Sequence, residues 1–220
     1  MSWAAVLFDL DGTLTDSGPG IINAVTYAVG ALGAQPLTAA AVRAFIGPPL
    51  RESFAAVGID PAAGILRYRE YYLDQGLFEN SVYPGVPELL AATAATGARI
   101  AVATSKPTVY AVRILEHFGL LTAFDHVQGD ELDGSRRHKQ QVIAAALAEL
   151  RIEGADAVMV GDRAADAVGA AQCATAFVGA GWGYGEPGEL EAAGATAVAA
   201  TPGDLLPLLS AELRPRRPPG

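Results

Sequence analysis

The stretch Ala5–Ser17, AVLFDLDGTLTDS, decides how the rest of the chain is read. An apolar run, Ala4-Ala5-Val6-Leu7-Phe8, delivers Asp9 and Asp11 on alternate positions and breaks at Gly12. Side chains alternate faces along a strand, so the two carboxylates project the same way, and like charge at that separation raises a pKa unless a cation intervenes. The pair asks for a metal ion or a proton.

Outward from that strand, the second half of the chain alternates short β-type runs with helical ones. ARIAVATS (98–105), FDHVQG (124–129), DAVMVGD (156–162), TAFVGA (175–180) and TAVAAT (196–201) read as strands, separated by apolar-periodic helices around 109–118, 142–150 and 164–171. This alternation predicts an α/β fold, a Rossmann-like parallel sheet flanked by helices. Continuous apolar runs such as Ala157-Val158-Met159-Val160 suit strands buried on both faces, and ligand chemistry then belongs at their carboxyl ends.

The first half breaks the rhythm. Segments 21–32, 39–45, 50–57 and 61–77 read as helices, with no strand expected before Val82. A helical block therefore interrupts a βα unit, which predicts a small inserted α-helical domain over 16–81, a core of 1–15 and 82–213, and hinges at DSGPG and NSVYPGV. The proline-rich end, 214–220, is expected to be disordered.

Composition narrows the function classes. The chain has 220 residues, 51% of them hydrophobic, and a formal charge of -9. That suits a packed core and disfavours nucleic acid and membrane surfaces as partners, since the one dense basic run, Arg214-Pro215-Arg216-Arg217, lies in the tail. A single cysteine, Cys173, excludes an internal disulfide, and its apolar surroundings predict burial over reactivity. The opening apolar segment meets acids after a few residues, so it reads as neither signal peptide nor membrane span, and a cytoplasmic protein is expected, monomer or homodimer.

Each central strand end carries polar groups: Asp9, Asp11 and Thr13; Thr104, Ser105 and Lys106; Asp162, with Asp166 four residues on. Arg136-Arg137-His138-Lys139 precedes the helix leading to the last of these strands. Hard oxygen ligands suit Mg²⁺, which Asp9, Asp162 and a backbone carbonyl would hold. Asp9 is then placed as a nucleophile toward phosphorus, and Asp11 as acid and base, a contribution typically worth about 10² to 10⁴ in rate. Thr104 and nearby amides would bind phosphoryl oxygens while Lys139 offsets their charge.

In order and context, Asp9-Leu10-Asp11-Gly12-Thr13, Thr104, Lys139 and Gly161-Asp162-Arg163-Ala164-Ala165-Asp166 resemble the four motifs of the haloacid dehalogenase superfamily. The helical insertion resembles the cap of its subclass I, and FIGPPL (45–50) and GWGYG (181–185) resemble stretches of phosphoglycolate-phosphatase-like members. The resemblance implies Asp9 as nucleophile and metal ligand, and Asp11 as acid/base whose main-chain carbonyl also binds the metal. It implies Thr104 and Lys139 as phosphate binders, Asp162 as a metal ligand, and Asp166 as a direct or outer ligand. Gly12, Thr13, Ser105 and Lys106 line the implied phosphate site. Two positions depart from the pattern: Gln140 follows Lys139 where many relatives have proline, making Arg136 and Arg137 rivals for its role, and Ser105 stands where asparagine is common.

These readings give a magnesium-dependent phosphatase acting on a small phosphomonoester through an aspartyl-phosphate, with phosphoglycolate or a nucleoside monophosphate (a 5'-nucleotidase) as substrate guesses from the resemblance. A sugar phosphomutase and a non-enzymatic receiver-like module are the alternatives. Arg51 reads either as a solvated helix residue or as the reader of a second anionic group on the substrate. GAGWGYG fails the dinucleotide register and reads as a loop near the cap mouth, and His117 and His138 lack zinc-like partners.

Overall fold

The computed structural model describes residues 3–136 and 138–209. The expected tail, 214–220, and Arg137 lie outside the described residues. Two compact units emerge: one combines the described residues up to Leu14 with those from Val82 onward, and the other is Thr15–Ser81.

In the first unit the strands are β1 (Ala5–Phe8), β4 (Arg99–Pro107), β5 (His126–Asp130), β6 (Ala157–Gly161), β7 (Ala176–Ala180) and β8 (Val198–Ala199). They form one sheet in the order β5-β4-β1-β6-β7-β8, with every neighbouring pair parallel. This is the α/β architecture that the alternation of runs predicts. β1 lies at the centre because the chain builds outward on its β4 side first and then returns to its β6 side. That reversal is the switch point at which open α/β sheets bind ligands.

Registration sets the strand ends flush. Phe8 stands opposite both Val102 and Val160, so Asp9, Thr104 and Asp162 all emerge just beyond one row of the sheet. One face carries Ala5, Leu7, Ala101, Ala103, Ala157 and Met159, buried against Val142, Ile143, Ala146, Leu147 and Leu150 of α7 (Lys139–Leu150) and Ala170 of α8 (Ala164–Gln172). The alternate residues Val6, Phe8, Ile100, Val102, Val158 and Val160 are buried as completely, which explains why the strands read as unbroken apolar runs. Small alanines on the α7 face let that helix approach closely and bring its first residue, Lys139, to the strand ends. The remaining helices of this unit are α5 (Val86–Ala95), α6 (Thr108–His117), the short α9 (Glu189–Ala192) and α10 (Pro202–Leu208). α5 and α10 each carry a proline in the first turn, where its missing N–H costs nothing.

The second unit holds α1 (Gly18–Ala31), α2 (Ala39–Arg43), α3 (Leu50–Ala56) and α4 (Pro61–Tyr71). Its core is aromatic: Phe45 meets Phe54 edge-on at 4.9 Å, and Tyr68 stacks on Tyr72 at 5.0 Å. Two features differ from the sequence expectation. The helix expected over 61–77 ends at Tyr71 and continues as a π-helical turn, Tyr72–Gly76, where the backbone of Gly76 lies against Gly20 of α1 with no room for a Cβ at Gly20. The two chain crossings also pair as very short strands, β2 (Thr15–Asp16) and β3 (Ser81–Val82), too brief to leave an alternation pattern.

Candidate active site

Asp9 leaves β1 with its main-chain N–H donating to the Val160 carbonyl at 2.9 Å, which fixes the residue between β1 and β6. Its Oδ1 accepts the Leu10 amide at 2.8 Å and meets Lys139 Nζ at 2.9 Å. Gly12 then adopts φ 81, a left-handed conformation open to glycine, and its Cβ position is filled by the Asp162 carboxylate. This turn brings Thr13 under the site, where its hydroxyl donates to Asp162 Oδ1 at 3.2 Å.

Asp162 follows β6 and is fully buried; its Oδ2 accepts the Tyr184 amide at 2.8 Å. Asp166, also fully buried, sits in the first turn of α8, where its Oδ2 accepts the Arg163 amide at 3.0 Å and Oδ1 meets Lys139 Nζ at 2.7 Å. Lys139 opens α7 and donates a third time, to the Ala103 carbonyl at 3.2 Å. Arg136, the rival for its role, instead pairs with Glu131 at 2.8 Å. Thr104 is buried and its Oγ1 accepts the Lys106 amide at 3.2 Å; Ser105 is half-buried on the same extended end of β4. Lys106 Nζ lies 3.0 Å from Asp11 Oδ1.

Asp9, Asp162 and Asp166 each offer a carboxylate oxygen, and those atoms all lie within 4.8 Å of one another. Crowding and burial disfavour the charged forms of Asp9 and Asp162. Burial, followed by Asp166 and Asp11, pushes Asp9 up to about 6 against the pull of Lys139. Burial, then Asp166 and Asp9, pushes Asp162 up to about 8, with the Tyr184 amide and Lys139 opposing. For Lys139, burial would lower the pKa, but the carboxylates of Asp166 and Asp9 outweigh it and hold the ammonium above its ordinary range. Four carboxylates, counting Asp11, thus face two ammonium groups, Lys139 and Lys106. The shortfall equals the charge of one divalent cation, and the all-oxygen donor set fits a hard one. Asp11's carboxylate is outside the trio and engages Lys106.

Sequence reasoning missed the second layer of the site. Tyr184, Trp182, which donates from Nε1 to the Thr13 carbonyl at 3.0 Å, and Glu189, which accepts from Arg163 Nε at 2.9 Å and the Ala164 amide at 2.7 Å, all surround the Asp162 segment. The alternating glycines of GWGYG were the available signal: a Cβ at Gly183 would overlap Asp162 and the Gly12 carbonyl. Arg51 lies on α3 of the second unit and is exposed. His117 closes α6 and His138 precedes α7, helix-end positions both. Cys173 is half-buried, with Sγ donating to the Gln140 carbonyl at 3.3 Å and burial pushing its thiol up.

A parallel sheet ending in three buried aspartates and a lysine defines a class, and the chain belongs to it: the haloacid dehalogenase-like hydrolase family matches residues 6–180. Within that family it is a phosphatase, a phosphoric monoester hydrolase. It is 41% identical over 191 residues to a 5'-nucleotidase of Pseudomonas aeruginosa, covering 85% of this chain and 86% of that one. It is 42% identical to the tyrosine-protein kinase PtkA of Mycobacterium tuberculosis, over 88% of this chain and 67% of that one. A phosphoglycolate phosphatase of Rhodospirillum rubrum is 35% identical, with 82% and 80% covered. Among solved structures, a predicted phosphatase from Clostridium acetobutylicum superposes with a TM-score of 0.90 at 39% identity, over 95% of this chain and 99% of that one. An enzyme family replaces the receiver-like alternative. No helix among the described residues is long and apolar enough to cross a membrane.

Proposed function

We propose that this phosphatase hydrolyses a small phosphomonoester in two steps through an aspartyl-phosphate on Asp9. The observation that carries the reading is the position of Asp9 at the switch point of the sheet, its Oδ1 held by Leu10 and Lys139 while Oδ2 has no hydrogen bond among the described residues. Oδ2 attacks phosphorus, the bond to the ester oxygen breaks, and Asp11 gives its proton to the leaving alcohol. Water then attacks the phosphoaspartate, Asp11 takes the water's proton, and inorganic phosphate leaves with Asp9 restored. Lys139 and the Thr104 hydroxyl stabilise negative charge on the transferring group, and Lys106 holds Asp11 in place between proton transfers. Asp9, Asp162 and Asp166 are the residues that would hold Mg²⁺, with the main-chain carbonyl of Asp11 as a further ligand. A bound ion supplies the positive charge that the buried carboxylates lack and that the phosphoryl oxygens need.

The helical unit, Thr15–Ser81, acts as the cap that excludes bulk water and selects the substrate, with Arg51 reading a second anionic group. Two relatives point to candidates within one class: a nucleoside monophosphate, from the 5'-nucleotidase, and phosphoglycolate, from the phosphoglycolate phosphatase. A transfer reaction, such as a sugar phosphomutase, is the second reading, and the relative named as a kinase is the observation that favours keeping it. A phosphate-release screen over mononucleotides, phosphoglycolate and sugar phosphates, with and without Mg²⁺, decides between them. Free phosphate dependent on Mg²⁺ supports the hydrolase; a phosphorylated isomer with no free phosphate replaces it with the mutase.

A further inference from the structure

Among the described residues no cationic side chain pairs directly with Asp162, yet both of its oxygens are held. Oδ2 takes the Tyr184 amide directly, and Oδ1 takes the hydroxyl of Thr13, whose carbonyl is in turn tied to the Trp182 indole N–H. Both donors therefore depend on one segment that follows β7. Its glycines are pressed onto the same residue: a Cβ at Gly183 would overlap Asp162 Cβ, and a Cβ at Gly185 would overlap the Asp162 carbonyl. The far end of the segment is anchored by Glu189. Its Oε1 accepts from Arg163 Nε and the Ala164 amide, and its Oε2 accepts the Glu186 amide at 2.9 Å. One carboxylate thus ties the segment to the residues directly after Asp162, and these hydrogen bonds, with Arg163, hold Glu189 below the usual range against the opposing effect of burial.

We propose that Gly181–Glu189 is a strap that fixes the orientation of the Asp162 carboxylate for the metal ion, with Trp182 and Glu189 as positioning residues. The inference rests on the reading of Asp162 as a metal ligand. A carboxylate with two preset hydrogen bonds loses little rotational freedom when it takes a cation, and outer partners of this kind typically change metal affinity by about 10- to 100-fold when removed. The strap also explains the glycines at 183 and 185, since a Cβ at either position would overlap Asp162.

The test is Mg²⁺ titration of the metal-free, full-length protein by calorimetry, with the melting temperature of the same metal-free samples measured alongside. Glu189→Ala is expected to weaken Mg²⁺ binding about tenfold, and Glu189→Gln by less, because the amide oxygen still accepts from Ala164. Trp182→Phe, which keeps the ring and removes one donor, is expected to weaken binding by a smaller factor and serves as the deciding variant should Glu189→Ala fail to fold. At saturating Mg²⁺ the KM for the phosphate ester stays within about twofold of wild type, since no strap side chain is assigned to substrate. If melting temperatures fall while the Mg²⁺ dissociation constants of Glu189→Gln and Trp182→Phe match wild type, the strap is structural only and the inference is overturned. If the wild-type protein itself takes up no Mg²⁺, the metal reading fails first and the inference falls with it.

Discussion

The carboxyl edge of the sheet and the helical unit Thr15–Ser81 treat charge in opposite ways. At the sheet edge Lys139, Asp162 and Asp166 are buried and locked to one another or to backbone amides. In the helical unit the buried groups are mostly apolar and aromatic, and the charged ones lie outside, as in the Arg67–Glu70 pair, whose side chains are 43% and 37% exposed. Burying uncompensated charge is costly, so the first arrangement persists where its chemistry requires it. Exposed charges on helices cost little to change, so the second suits a surface that adapts to different substrates. Under the proposed function, the reaction belongs to the first region and the choice of substrate to the second.

The largest effect should come from Asp9→Asn, which keeps the shape and removes the nucleophile. Phosphate release from p-nitrophenyl phosphate should fall by about 10⁴-fold or more, and retained activity would take the reaction away from the sheet edge. Lys139→Ala comes next. It leaves Asp9 and Asp166 without their buried partner, and breaking such a pair by removing one member typically costs about 3 to 5 kcal/mol, so thermal unfolding should shift clearly downward along with activity.

The mirror experiment is in the helical unit. A Cβ at Gly64 would lie 2.6 Å from Phe54 Cγ, so Gly64→Ala should destabilise by about 1 to 3 kcal/mol. Its kcat on p-nitrophenyl phosphate, measured well below the melting temperature, should be retained. A kcat that collapses with the packing would erase the division of labour.

A smaller, graded effect is expected with pH. Asp9 at about 6 and Asp162 at about 8 are both raised above the ordinary 3.8 of an unfolded carboxylate. Their protonated forms are favoured by the fold, so the stability they contribute is fully present below the unfolded value. It is lost as pH rises through about 6 and then about 8. The metal-free protein should therefore melt lower as pH climbs across that window, and added Mg²⁺ should raise the melting point most at its upper end, where both groups are ionised. A Mg²⁺ stabilisation that shrinks with rising pH would contradict the assigned ligands. The smallest change belongs to Arg51→Ala: KM for the preferred ester should rise about tenfold or less while kcat on p-nitrophenyl phosphate holds, and unchanged KM values across an ester panel would remove Arg51 from substrate selection.

How much of this was legible in the sequence follows the same division. The central strands are short apolar runs buried on both faces, and the polar residues that end them had to emerge together once the sheet was parallel. Asp9, Thr104 and Asp162 could thus be placed by spacing alone. Lys139 was legible through the family resemblance, because its place depends on how closely α7 lies on alanines of the sheet. The strap escaped notice because its partners are distant in sequence: Tyr184 meets Asp162 across 22 residues and Trp182 meets Thr13 across 169. In the helical unit, periodicity located the helices but not the π-helical turn, which ends at the Gly20–Gly76 approach and has no local pattern. Nor does periodicity name a substrate, since exposed residues such as Arg51 carry no burial signal.

The central claim is covalent, and one measurement meets it directly. Incubating the enzyme with a phosphorus-32-labelled ester and Mg²⁺, quenching in acid and mapping the label by peptide mass spectrometry should find the phosphoryl group on Asp9, and no label in Asp9→Asn. A wild-type enzyme that turns over substrate while its Asp9 peptide stays unmodified throughout would contradict the mechanism.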